Sequence, residues 1–226
     1  MDLKQYLKDL EYLVNIDSGK DNPEGIVKCM EFFKDAFNSL NWTTELIEVW
    51  SVAPCFVAYN RKASHYDAFL TGHLDTVFKK GTTSERPYTV KDNIAYGPGV
   101  CDMKSGCLNI LYAIRELSEE EKKKNLVVFF QPDEEIGSPK SRFEMKKLVS
   151  ISSKCLSLES DTDEDGVPVY VIQRKGILQY GYELIGKAGH AGNLLYNGAI
   201  SAINEMAYWF TKISSFVHTK PEKTDN

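Results

Sequence analysis

Residues Tyr66–Phe78 read YDAFLTGHLDTVF. An apolar run with the composition of a buried strand ends abruptly in an imidazole, His73, and a carboxylate, Asp75, one residue apart. Charged groups at the rim of a sheet need water or partners. Three other segments repeat the pattern of ligand-type residues ending an apolar run or interrupting a glycine-rich turn: GPGVCDMKSG with Asp102, NLVVFFQPDEEIGS with Glu134 and Glu135, and CLSLESD with Glu159.

Around these points the chain reads as strands alternating with helices, the signature of an α/β layer fold. Leu3, Leu7, Leu10 and Val14 share a helical face that should end near Ser18–Gly19. Ile26, Met30, Phe33 and Phe37 form the stripe of a second helix, capped by Asp21 or Asn22 with Pro23 in its first turn, running to Leu40. WTTELIEVW, CFVAYN and YDAFLTG predict strands, and YTVKDNIAYG predicts a hairpin turning at Asp92–Asn93. Helices are expected over 105–117, 139–149 and 198–216, a doubly covered strand at NLVVFFQ, a short one at CLSLES, and two more within 167–186 broken near Lys175–Gly176. SEEEKKK is a solvated exit with charges paired at i,i+3, and KPEKTDN a polar tail.

Composition narrows the function classes. The chain has 226 residues, 42% hydrophobic, with a net charge of −5 and its basic residues scattered, so the footprint of a nucleic-acid binder is missing. Five cysteines without a C-x-x-C pair argue for reduced thiols and a cytoplasmic setting. The N-terminus carries acids within its apolar pattern, unlike a signal peptide or a spanning helix.

Taken singly, each polar site has an ordinary explanation. A strand-end histidine is more often packed than ligating, Asp102 can cap the helix after it, and the acidic runs around Glu134 and Glu159 can be solvated turns. Together they are harder to dismiss, because carboxylates gathered at one sheet edge repel unless a cation neutralises them. Imidazole with carboxylates and no thiolates suits Zn²⁺, with Mn²⁺ or Co²⁺ as alternatives. Asp75 then accepts the other ring N–H of His73 and fixes its tautomer.

The order GHLDTV, GPGVCDMKSG, DEEIGS, LESD, GKAGHAG resembles the M20 metallopeptidase family, the group of glutamate carboxypeptidase and acetylornithine deacetylase. The resemblance implies an αβα layered catalytic domain with a mixed, mostly parallel sheet over residues 1–172, followed at 173–226 by the start of an α+β, ferredoxin-like lid or dimerisation domain, both incomplete. It implies two zinc ions: one held by His73 and Glu159, the other by Glu135, with Asp102 bridging them and Asp75 orienting His73. Glu134 is the implied general base, acting on a water between the metals. His190 is implied to reach across a homodimer and hold the substrate carbonyl oxygen.

The same comparison carries an expectation of truncation. Family members run longer, and the remaining histidine of the Glu135 zinc belongs to the later part; His65 and His218 do not replace it. An exposed sheet edge follows, to be completed by a second chain if at all. The reading is a cytoplasmic, zinc-dependent amide hydrolase of small peptides or N-acyl amino acids, binding neither nucleic acid nor membrane. The alternatives are an inactive remnant that holds at most one metal at His73, Asp102 and Glu159 and associates through its lid segment, and a co-catalytic zinc aminopeptidase of another family.

Overall fold

Two amphipathic helices begin the chain. α1 (Leu3–Val14) is capped by Asp2, whose carboxylate accepts the amides of Lys4 and Gln5. It ends at Asn15, short of the expected Ser18–Gly19, because its last turn and the residues after it are held elsewhere: the Leu13 and Ile16 carbonyls accept from Lys104, and Asp17 accepts the amides of Gly81 and Thr83. α2 (Pro23–Ser39) has Pro23 in its first turn, but Asn22 does not cap it with its side chain, which donates instead to the Asp17 carbonyl at 2.7 Å. Ile26, Met30, Phe33 and Phe37 all face the core.

The strands follow the predicted runs. β1 (Thr43–Ile47), β2 (Cys55–Tyr59) and β3 (Ala68–His73) precede the short helix α3 (Thr82–Glu85). The hairpin of β4 (Thr89–Lys91) and β5 (Ile94–Tyr96) turns on Asp92 and Asn93, both at positive φ. Then come α4 (Ser105–Arg115), β6 (Leu126–Gln131), α5 (Ser141–Val149) and β7 (Cys155–Ser157). The solvated exit pairs Lys122 with Glu119 and Lys123 with Glu120.

The main sheet has the order β1-β2-β6-β3-β7. It is mixed: β1, β2 and β6 run antiparallel in turn, whereas β6, β3 and β7 run parallel. Residues alternate between two cores because successive side chains of a strand point to opposite faces. On one face Phe56, Ala58, Val128 and Phe130 pack against α1, α2 and α4; on the other Val57, Tyr59, Phe69, Val127 and Phe129 meet Met145, Leu148 and Val149 of α5 and its end. The fold is thus α/β, with helices on both faces of a mixed sheet. Burial of β6 along its whole length explains why its sequence shows no alternation. β7 lies at the sheet edge with all three residues exposed.

The computed structural model describes residues 1–160, 167, 169–173, 181–190, 192 and 198–214, in two compact units, Met1–Val171 and Ile172–Asn226. In the second unit α6 (Ala202–Ser214) occupies most of the expected helix, and Lys187 bridges to Ile200. The described residues 167, 169–173 and 181–186 are not in strands, and the rest of the span expected to hold two strands lies outside the described residues. The proposed break at Lys175–Gly176, the acids at 161–165, His218 and the polar tail lie outside the described residues.

Candidate metal centre

Three neighbouring parallel strands end side by side, and their carboxyl ends carry the polar residues. Such ends are where ligand sites form in open α/β sheets. β3 finishes at His73 and β6 at Gln131, paired residues in the ladder. Glu134 and Glu135 follow on a tight turn, Glu134–Ile136, and Glu159 lies two residues past β7. Asp102 arrives from Val100–Lys104, an irregular turn entering α4, in which Asp102 and Met103 have non-helical backbone and the peptide between them is cis. Gly106 allows α4 to lie against the Leu158 carbonyl, since a Cβ there would stand 2.2 Å from that oxygen. The approach brings the start of α4 beside the segment that carries Glu159.

His73 is the centre of the cluster and is 1% exposed. Its Nε2 lies 2.9 Å from Asp102 Oδ1 and 3.9 Å from Glu134 Oε2. Two groups of ligand atoms, each within 4.8 Å of one another, share this ring: His73, Asp102 and Glu135, and His73, Glu134 and Glu159. The adjacent glutamates therefore join different groups. On the other side, Nδ1 donates to the Asp75 carbonyl at 3.0 Å, with Asp75 Oδ1 further off at 3.5 Å. The backbone oxygen is the closer acceptor, because the fully buried Asp75 carboxylate is engaged elsewhere: it accepts the amides of Glu134 at 3.2 Å and Glu135 at 2.9 Å.

The charges bear the mark of this crowding. Burial disfavours a charged His73, but the Asp75 carboxylate and carbonyl and the Asp102 charge outweigh it and push the imidazole up to about 9. Glu134 is raised above the ordinary carboxylate range by burial and by the fields of Glu159, Asp75 and Asp102, opposed by His73. Glu135 is raised by burial and by Asp102. Shifts of this kind concentrate at functional sites. An imidazole with four carboxylates and no thiolate is a donor set for a hard or borderline divalent cation, so the residues fit such an ion.

Other predicted residues stand apart. His65 precedes β3 and bonds Ser153 Oγ at 2.7 Å, at the strand's opposite end. His190 belongs to the second unit, where its exposed ring accepts the Gly192 amide at 3.2 Å. Sequence reasoning missed the scaffold of the glutamate turn. Asp133 is buried and accepts the Lys140 and Ser141 amides, starting α5 at Ser141 instead of at Pro139. Gln131 Oε1 accepts from both Ser138 and Ser141. The available signal was a glutamine and an aspartate continuing a fully apolar run.

The profile of peptidase family M20/M25/M40 matches residues 69–184, just over half of the chain. Carboxypeptidase G2 of Pseudomonas sp. (strain RS-16) is 30% identical over 190 residues, covering 82% of this chain and 45% of that protein. Acetylornithine deacetylase of Salmonella typhimurium is 30% identical over 127 residues, covering 55% of this chain and 32% of its own length. The chain thus spans less than half the length of these relatives. Among solved structures, aminopeptidase PepT from Bacillus cereus superposes with a TM-score of 0.65 at 18% identity, over 94% of this chain and 57% of that one. The metallo-carboxypeptidase Sso-CP2 from Sulfolobus solfataricus does so at 0.60 and 20%, over 74% and 39%. These two likenesses speak to the fold alone. With the matched profile running from β3 through every segment that supplies the acidic cluster, the chain belongs to peptidase family M20/M25/M40.

Proposed function

We propose that the chain carries the catalytic centre of a divalent-metal-dependent amide hydrolase acting on small peptides or N-acyl amino acids. The observation that carries this reading is the convergence of buried His73 with Asp102, Glu134, Glu135 and Glu159 at the carboxyl ends of parallel strands. His73 and Glu159 would hold one ion, Glu135 the other, and Asp102 would lie between them; zinc suits the donors, and cobalt or manganese would substitute. When bound, such ions acidify water and polarise a scissile carbonyl. Glu134 is the base: its raised affinity for protons equips it to take one from the attacking water and deliver it to the leaving amine. Asp75 supports both halves, holding the His73 side and the Glu134–Glu135 backbone together.

Residues 1–172 are the proposed catalytic portion and 173–226 the beginning of a lid or dimerisation domain, a division supported by the compact units that meet at Val171 and Ile172. His190, in its glycine-flanked segment, is the proposed donor to the substrate carbonyl oxygen, supplied across a homodimer. The names of the relatives, a carboxypeptidase and a deacetylase, favour amide substrates. Five unpaired cysteines fit a cytoplasmic setting, and no helix among the described residues is long and apolar enough to cross a membrane.

A second reading, a chain that binds one ion without turnover, is favoured by one observation: His73 is the only described histidine within the cluster. Metal content and hydrolysis of N-acyl amino acids and dipeptides, with and without added Zn²⁺, separate the two. Two equivalents of metal with turnover that Glu134→Gln abolishes, while metal stays bound, support the hydrolase. One equivalent and no turnover supports the second reading.

A further inference from the structure

Lys104 is a buried cation with no part in the chemistry above. The residue is 1% exposed, and Nζ donates to the carbonyl oxygens of Leu13 at 2.9 Å and Ile16 at 2.6 Å, at the end of α1. Those carbonyls lie at the negative end of the helix dipole, which favours a cation. Among the described residues no carboxylate forms an ion pair with it, Asp17 acting only through its longer-range field. Removing an ammonium from water in this way is unfavourable compared with burying an apolar side chain of similar length. What the ammonium adds is direction, because two hydrogen bonds to two fixed carbonyls specify its position.

That position matters for the residue two places earlier. The Asp102 side chain is 67% exposed, so packing does not hold it at 2.9 Å from His73 Nε2. Its place is set by backbone without helical regularity. Just downstream, Met103 is fully buried and the Lys104 amide closes the turn onto the Gly99 carbonyl at 2.9 Å. The Lys104 side chain then ties this turn to a separate element, the end of α1.

We propose that Lys104 is a positioning residue: by gripping the Leu13 and Ile16 carbonyls it fixes where Asp102 stands relative to His73 and Glu135, and so sets how tightly the site takes a divalent cation. The affinity part rests on the metal-centre reading; the anchoring part does not.

The test compares the wild-type chain, Lys104→Met, and Phe37→Leu, a core substitution on the Trp42 and Phe56 rings that lowers stability without touching the turn. Two quantities are read: hydrogen exchange of residues 97–104 in metal-free protein, and Co²⁺ affinity by absorption titration. Lys104→Met should speed exchange in that segment about tenfold or more and weaken Co²⁺ binding about 10–100-fold, the usual effect of losing a support behind a ligand. Phe37→Leu should leave both near wild type. A folded Lys104→Met chain with both quantities within about twofold of wild type, or a Phe37→Leu chain with the same losses, overturns the inference. Should Lys104→Met fail to fold, Lys104→Gln takes its place under the same criteria. A wild-type chain that takes up no Co²⁺ removes the metal reading, and the exchange comparison still decides whether Lys104 anchors the turn.

Discussion

Asp75 and Glu135 are joined by a hydrogen bond from the Glu135 amide to Asp75 Oδ2 at 2.9 Å, while the other Asp75 oxygen accepts the Glu134 amide and stands 3.5 Å from the His73 ring. One buried carboxylate therefore spans the end of β3 and the turn after β6. Asp75→Asn preserves the volume and replaces one acceptor oxygen with a donor that faces an amide. The expected result is a loss of about 1–3 kcal/mol in urea unfolding, from a buried amide left without its partner. Metal affinity should fall about 10–100-fold in calorimetric titration.

Titration of His73 links protons to both stability and metal. Its folded-state value of about 9 lies above the ordinary 6.5, so the stabilisation it lends the metal-free chain is complete below about pH 6.5 and is lost as pH rises through about 9. A metal must displace that proton. Affinity should rise as pH climbs from 7 toward 9, by about tenfold per unit at most, and calorimetry in buffers of different ionisation enthalpy should register proton release on binding.

Glu134→Gln tests the separation of roles between neighbours. The substituted side chain keeps the size of the original, but its amide cannot shuttle a proton, so turnover should fall by about 10²–10⁴. Glu135→Gln should act instead through metal retention. Measuring bound metal and turnover on the same samples distinguishes the two profiles.

Gly106→Ala probes the contact between α4 and the segment leading to Glu159. The new methyl would meet backbone, the Leu158 carbonyl at 2.2 Å, and so cannot be relieved by a rotamer change. A destabilisation of about 1–3 kcal/mol is expected from overpacking. Weaker metal binding should accompany it as Leu158 and Glu159 shift, measured by denaturant unfolding and metal titration in parallel.

Much of this architecture was legible in the residues. The helical stripe of Ile26, Met30, Phe33 and Phe37, the hairpin at Asp92–Asn93 and the doubly covered strand at Leu126–Gln131 each follow from local periodicity or turn chemistry. So did the membership of the acidic cluster, because ligand-type residues at the ends of apolar runs stand out. The wiring did not. That Asp75 reaches the amides of Glu134 and Glu135 depends on β3 and β6 being neighbours, a pairing of strands more than fifty residues apart that no local pattern encodes. The directions of Glu134 and Glu135 depend on a tight turn braced by Asp133 and Gln131, a bracing that no local pattern around the two glutamates announces.

The central claim is that His73 and the acidic residues around it cradle divalent cations. Zinc-edge anomalous diffraction from crystals of the chain grown in excess zinc tests it most directly. Anomalous peaks are expected about 2.0–2.2 Å from His73 Nε2 and from carboxylate oxygens of Asp102, Glu135 and Glu159. A map without peaks there, with those side chains turned apart into solvent, would contradict it.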